Sequence, residues 1–137
     1  MKKVIIDTNL WISFLIGHQT QFVRRLLTDL QFEVYVCPQL IDEIRDVASR
    51  DKISKRVSSS DVEDLMALIY AFCQQAIIIN NAPSSAIRDP KDIYLLSLAD
   101  TIGADYIVSG DSDLTDLETY HHAQIVKLAD FKQLMNY

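Results

Sequence analysis

Apolar positions along the chain come in two textures. Short unbroken runs rich in Val, Ile and Tyr alternate with longer segments in which apolar residues recur every three or four positions. The first texture predicts buried strands and the second amphipathic helices. Residues 3–6 form such a run and end on Asp7. Helical spacing over 10–16 is interrupted at Gly17, and a second helix runs from Thr20 to about Leu30, with Phe22, Val23, Leu26, Leu27 and Leu30 on one side. Residues 32–37 predict the second strand, closed by Pro38, and 39–48 a helix, followed by a basic segment at 50–57 that reads as helix end or loop. Ser60 and Glu63 have capping-box spacing and open a helix whose Val62, Leu65, Met66, Leu68, Ile69, Phe72 and Cys73 face the core. A third strand is expected at 76–79, then a polar loop at 80–85.

The stretch from Arg88 to Leu114 organises the rest. Asp89 suits an N-cap, Pro90 the first helical position and Asp92 the N3 position, where a carboxylate complements the helix dipole. Ile93, Leu96, Ala99 and Ile102 form the apolar face, widened by Tyr94, Leu95 and Leu98. Gly103 ends the helix, residues 106–108 give a fourth buried strand, and Ser109 to Asp113 form an acidic turn. A short helix or turn, a strand at 124–126 and a closing helix at 129–135 complete the chain. Strands alternating with helices imply parallel βαβ units in an α/β, three-layer α/β/α sandwich, with residues 1–137 forming one domain. The chain shows no internal repeat, low-complexity segment or linker.

Composition adds limits. The 137 residues are 49% hydrophobic and 23% charged, as in ordinary globular chains. No apolar run approaches the roughly 20 residues of a membrane span, so no membrane association is expected. The opening Met-Lys-Lys resembles a signal n-region, but Asp7 follows after three apolar residues and no cleavage site appears; a cytoplasmic protein is expected. Cys37 and Cys73 lack any zinc-ligand spacing. The net charge of −6 argues against a nucleic-acid partner, yet an acid cluster contributes to that mean. Five of the 13 basic residues (Arg45, Arg50, Lys52, Lys55, Arg56) fall between positions 45 and 56, which reads equally as a basic patch or as a solvated helix end.

Ligand sites in such folds form beyond the carboxyl ends of the strands. Asp7 and Asp111 directly follow strands, Asp92 opens the helix that leads into strand four, and Glu43 lies about one turn into the helix after strand two. Four acids from four segments therefore belong on one rim. On a helical wheel of about 100° per residue, Glu43 sits at the margin of the stripe formed by Leu40, Ile41, Ile44, Val47 and Ala48, while Asp42 and Asp46 face solvent. Each acid also has a plain structural role open to it: Asp7 and Asp111 as caps, Asp92 as a helix-start charge, Glu43 as a surface partner, Asp113 as a turn residue. Thr8, Asn9 and Ser109 stand where they could hydrogen-bond the acids. Clustered carboxylates repel unless protonated or bound to a cation, and oxygen-only ligands suit Mg²⁺ or Mn²⁺. A metal-dependent phosphoester hydrolase is the expected chemistry.

The segments VIIDTN (4–9), LIDEI (40–44), DPKD (89–92) with LLSLA (95–99), and GADYIVSGDSDL (103–114) resemble, in this order, the PIN-domain family. Within it, the chain is most similar to small prokaryotic stand-alone members regarded as toxins of toxin–antitoxin pairs, the VapC-type ribonucleases. The resemblance implies about five parallel strands in the order 3-2-1-4-5 and a Mg²⁺- or Mn²⁺-dependent endoribonuclease. It implies Asp7, Glu43, Asp92 and Asp111 as the acidic set, with Asp113 auxiliary and Asn9 and Ser109 supporting. A homodimer and a small antitoxin protein are further implications. If RNA is the substrate, the basic run and Lys91 are expected to hold its phosphates. Two other readings stay open. One is a non-catalytic PIN-like module that binds RNA or protein. The other is a haloacid-dehalogenase-like phosphatase, which would need an acid where Asn9 stands.

Overall fold

A computed structural model describes residues 1–137. Strand β1 (Lys2–Ile6) is flanked by β2 (Phe32–Val36) and β4 (Tyr106–Val108), both parallel to it. Beyond β2 lies the two-residue β3 (Gln74–Gln75), and beyond β4 lie β6 (Ala123–Val126) and then β5 (Thr119–Tyr120). The order β3-β2-β1-β4-β6-β5 contains the expected 3-2-1-4-5 arrangement, with β6 as its fifth member. The sixth strand was not expected. Thr119–Tyr120 is antiparallel to β6, in a tight hairpin whose His121 adopts a left-handed conformation (φ 52°).

Burial follows from position in the sheet. Central β1 buries Val4, Ile5 and Ile6 without alternation, whereas β2 buries Phe32, Val34 and Val36 and leaves Glu33 and Tyr35 half-exposed. Helices α1 (Thr8–Ile16), α2 (Thr20–Thr28), α3 (Pro38–Ser49), α4 (Asp51–Ser54), α5 (Ser59–Phe72), α6 (Ile93–Ile102), α7 (Ser112–Thr115) and α8 (Leu128–Leu134) flank it. Trp11 of α1 is fully buried and donates its indole N–H to the Ile6 carbonyl at 3.1 Å, so the first helix is tied to the end of the strand it follows. Phe131 of α8 packs against Phe32 and Tyr106, with ring centroids 5.1 and 6.0 Å away.

Several local expectations are corrected. The third strand is shorter and earlier than 76–79: after Ala76 donates to Val36, the backbone leaves the sheet. Hydroxyls of α6 capture it instead. Thr101 accepts from the N–H groups of Ile79 and Asn80, and Ser97 accepts from Ala82, leaving Ile77 and Ile79 exposed. Leu30 is exposed because α2 ends at Thr28, and Phe72 because it is the last residue of α5. The capping box is Ser58 with Asp61, two residues before the expected Ser60 and Glu63; both reciprocal bonds are made, at 3.0 and 3.1 Å. Asp89 caps a single 3₁₀ turn (Pro90–Asp92), which places Asp92 at the N-cap position of α6 rather than at N3. Gly103 ends α6 in the left-handed conformation, as expected (φ 66°).

Candidate active site

Asp7 ends β1 and is almost fully buried, 3% exposed. A parallel strand delivers its last residue to the sheet edge while its neighbours β2 and β4 wall it in. Its carboxylate accepts from the Ser109 hydroxyl at 2.7 Å and from the backbone N–H of Asn9 at 3.3 Å. Burial pushes its proton affinity above the ordinary carboxylate range. The Ser109 and Asn9 bonds work against that rise, and the charges of Asp111 and Glu43 add to it.

Ser109 follows β4 and is fully buried. Its hydroxyl donates to Asp7 and accepts the backbone N–H of Asp111 at 3.0 Å. One residue thus connects two acids. Asp111 caps α7 by accepting from the Asp113 N–H at 2.9 Å. Asp113 turns its carboxylate to Arg88, 3.0 Å away, and Arg88 also holds Asp116 at 2.9 Å. Arg88 therefore ties the segment leading to Asp92 to the helix capped by Asp111, a role that nothing in the sequence pattern signals.

Asp92 is half-buried and makes no cap hydrogen bond in spite of its N-cap position. Its pKa is raised to about 7, first by burial, then by the close approach of the Asp111 carboxyl, and further by the charges of Asp7, Asp111 and Asp89. A helix-start role alone would have lowered it.

Glu43 is half-buried at the margin of the α3 stripe, while Asp42 and Asp46 are exposed, as the helical wheel predicts. One of its oxygens accepts from the hydroxyl of Tyr94, which also lies 3.2 Å from the Thr8 hydroxyl. Helical periodicity places Tyr94 on the apolar stripe of α6 and does not reveal this contact. A Tyr two residues after Asp92 was the available signal. Burial, and then the hydrogen bond to Glu43, push the Tyr94 phenol well above its usual range, so the hydroxyl stays protonated and donates.

Asn9 is exposed and reaches Asp7 only through its backbone N–H. Of the basic residues, Arg45 pairs with Glu63 at 2.8 Å and Arg50 with Asp46 at 3.0 Å, whereas Lys52, Lys55, Arg56 and Lys91 are exposed and form no ion pair. His121 and His122 pair with Asp100 and Asp105. No helix is long and apolar enough to cross a membrane.

Asp7 is the electrostatic centre of this rim, interacting with Asp111, Glu43 and Asp92. No three His, Cys, Asp or Glu side chains converge closely enough to enclose an ion by themselves. The donor set is all oxygen, and its mutual repulsion is what a divalent cation relieves. This fits an ion that keeps several of its waters, as Mg²⁺ does.

Residues 3–113 match the family model for the PIN domain. The chain is also 31% identical over 120 residues to the uncharacterized protein MJ1680 of Methanocaldococcus jannaschii, covering 84% of this chain and 74% of that protein.

Proposed function

The chain belongs to the PIN-domain family, a nuclease-type fold, and from that premise we propose that it is a Mg²⁺- or Mn²⁺-dependent endoribonuclease. The observation that carries the reading is Asp92. It stands at a helix start without capping it, and burial, together with the crowding of Asp111 and Asp7, raises its pKa to about 7. An arrangement this costly to the free protein suits a site that a cation completes.

In this reading Asp7, Asp92 and Asp111 hold the ion, directly or through its waters. The bound ion supplies Lewis-acid stabilisation of the phosphodiester and lowers the pKa of water. Ser109 fixes the Asp7 carboxylate, and Arg88 keeps Asp113 and Asp116 from adding free negative charge beside Asp111. Glu43 completes the rim and orients the attacking water, accepting its proton. Lys52, Lys55, Arg56 and Lys91 are the cations free to meet RNA phosphates. Arg45 and Arg50 must first leave Glu63 and Asp46. The toxin role, a small antitoxin partner covering the rim, a homodimer and a cytoplasmic location rest on the family resemblance and on sequence composition.

The test is cleavage of a mixed single-stranded RNA pool by purified protein with Mn²⁺, with EDTA, and by Asp92→Asn. Cleavage that needs metal and is lost in a folded Asp92→Asn variant is the expected result. The want of three tightly convergent ligands favours a second reading, a PIN-like module that binds RNA or protein without cutting. Absence of cleavage in every condition would decide for it. Family membership leaves no place for the haloacid-dehalogenase-like alternative.

A further inference from the structure

Side chains from three helices meet at one hydroxyl. Thr8 opens α1 and is 2% exposed; Tyr94 is the second residue of α6; Glu43 lies on α3. The Tyr94 hydroxyl has a single proton and gives it to Glu43, so in its contact with Thr8 it must accept, and the Thr8 hydroxyl donates. The chain therefore has one direction, from Thr8 to Tyr94 to Glu43. It begins on the residue next to Asp7 and passes through the residue two positions beyond Asp92. Glu43 makes no other side-chain hydrogen bond, so nothing else in the protein fixes its carboxylate, and its second oxygen is left free.

From this geometry we infer that Tyr94 is a positioning residue for Glu43: its hydroxyl, oriented by Thr8, holds the Glu43 carboxylate at a set place relative to Asp7 and Asp92. The inference rests on the nuclease reading of the rim and adds to it a residue outside the acidic set. A glutamate in mid-helix has three side-chain torsions and would otherwise sample several rotamers. The tyrosine ring, packed at the start of the helix that carries Asp92 at its N-cap, removes that freedom and transmits the position of α6 to α3. Phenylalanine would fill the same space without supplying the bond. A purely structural tyrosine would leave the energetics of Glu43 untouched.

The experiment is a double-mutant cycle with Tyr94→Phe and Glu43→Ala, read in two ways: RNA cleavage with Mn²⁺, and Mn²⁺ affinity by paramagnetic resonance titration without RNA. Tyr94→Phe in the wild-type chain should lower kcat about tenfold with KM for RNA unchanged, and should weaken Mn²⁺ binding measurably. In the Glu43→Ala chain it should add nothing to either loss. Thermal unfolding of each variant separates these effects from lost folding. If Tyr94→Phe costs as much without Glu43 as with it, or costs nothing in the wild-type chain, the positioning role is wrong while the nuclease reading stands. If the wild-type chain binds Mn²⁺ but cuts no RNA, the nuclease reading fails and the cycle is decided on Mn²⁺ affinity alone. A wild-type chain that neither binds Mn²⁺ nor cuts RNA removes both.

Discussion

The Ser109 hydroxyl lies 2.7 Å from the Asp7 carboxylate, joining the ends of two adjacent parallel strands inside a fully buried contact. Through its second bond, to the Asp111 N–H, the same hydroxyl sets where the chain turns after β4. Removing it should leave a buried carboxylate without its best donor. Ser109→Ala is expected to cost about 1.5–3 kcal/mol, as for other hydrogen bonds to charged groups. Urea unfolding at neutral pH measures this; a change under about 0.5 kcal/mol, the range of inconsequential surface changes, would mean that the bond contributes little.

Asp92 makes the metal-free protein sensitive to pH in a definite direction. Its carboxyl is raised from 3.8 to about 7 in the folded state, by burial first and by its acidic neighbours next. The folded chain therefore holds a proton that the unfolded chain releases. That stability is fully present below 3.8 and lost as pH rises through about 7. In chelator, the melting temperature should fall across this window, and Asp92→Asn should flatten the fall. Millimolar Mn²⁺ at pH 7.5 should restore the loss by binding the folded state alone. Asp105, lowered by the Lys3 N–H and His122, titrates the other way and acts only in more acid solution.

RNA binding should report which cations are free. Each phosphate contact on a single strand contributes about 0.7 to the slope of log affinity against log salt. Lys52→Ala with Lys55→Ala should flatten that slope by about 1.4 if both contact phosphates. Arg50→Ala, which removes a residue already paired with Asp46, should change it less. Filter binding in EDTA, where no cleavage occurs, measures both. An unchanged slope in the double variant would take this segment out of the RNA path.

Helix α5 offers a control on the local structure. Ser58→Ala should cost about 1 kcal/mol by removing the N-cap, whereas Ser60→Ala, inside the helix and exposed, should cost almost nothing. Denaturant unfolding of the pair decides it, and the reverse order would place the box at Ser60 and Glu63.

Much of the fold was legible in local pattern. Short runs rich in β-branched and aromatic residues identified β1, β2 and β4, and the Gly103 stop was readable because a left-handed residue after a helix is a local requirement. The placing of Asp7, Asp92, Asp111 and Glu43 on one edge also followed from the sequence, since a parallel sheet sends every strand end and following helix start to the same side. The third strand was not legible. Residues 76–79 have β-prone composition, but Thr101 takes the N–H groups of Ile79 and Asn80 and Ser97 that of Ala82, and these long-range bonds draw the segment off the sheet. Tyr94 was read as core for the same reason: periodicity shows which face of a helix turns inward but not what the end of a long side chain meets there. The sequence by itself determined the main helices, the central strands with their parallel order and the rim on which the acids stand, because these follow from steric preference, burial pattern and the alternation of strand and helix. Only the tertiary structure decided which acids crowd Asp92, which arginines are already paired, and that a tyrosine on α6 holds a glutamate on α3. Those relations join residues far apart in the chain, and their energies come from distances that no local pattern encodes.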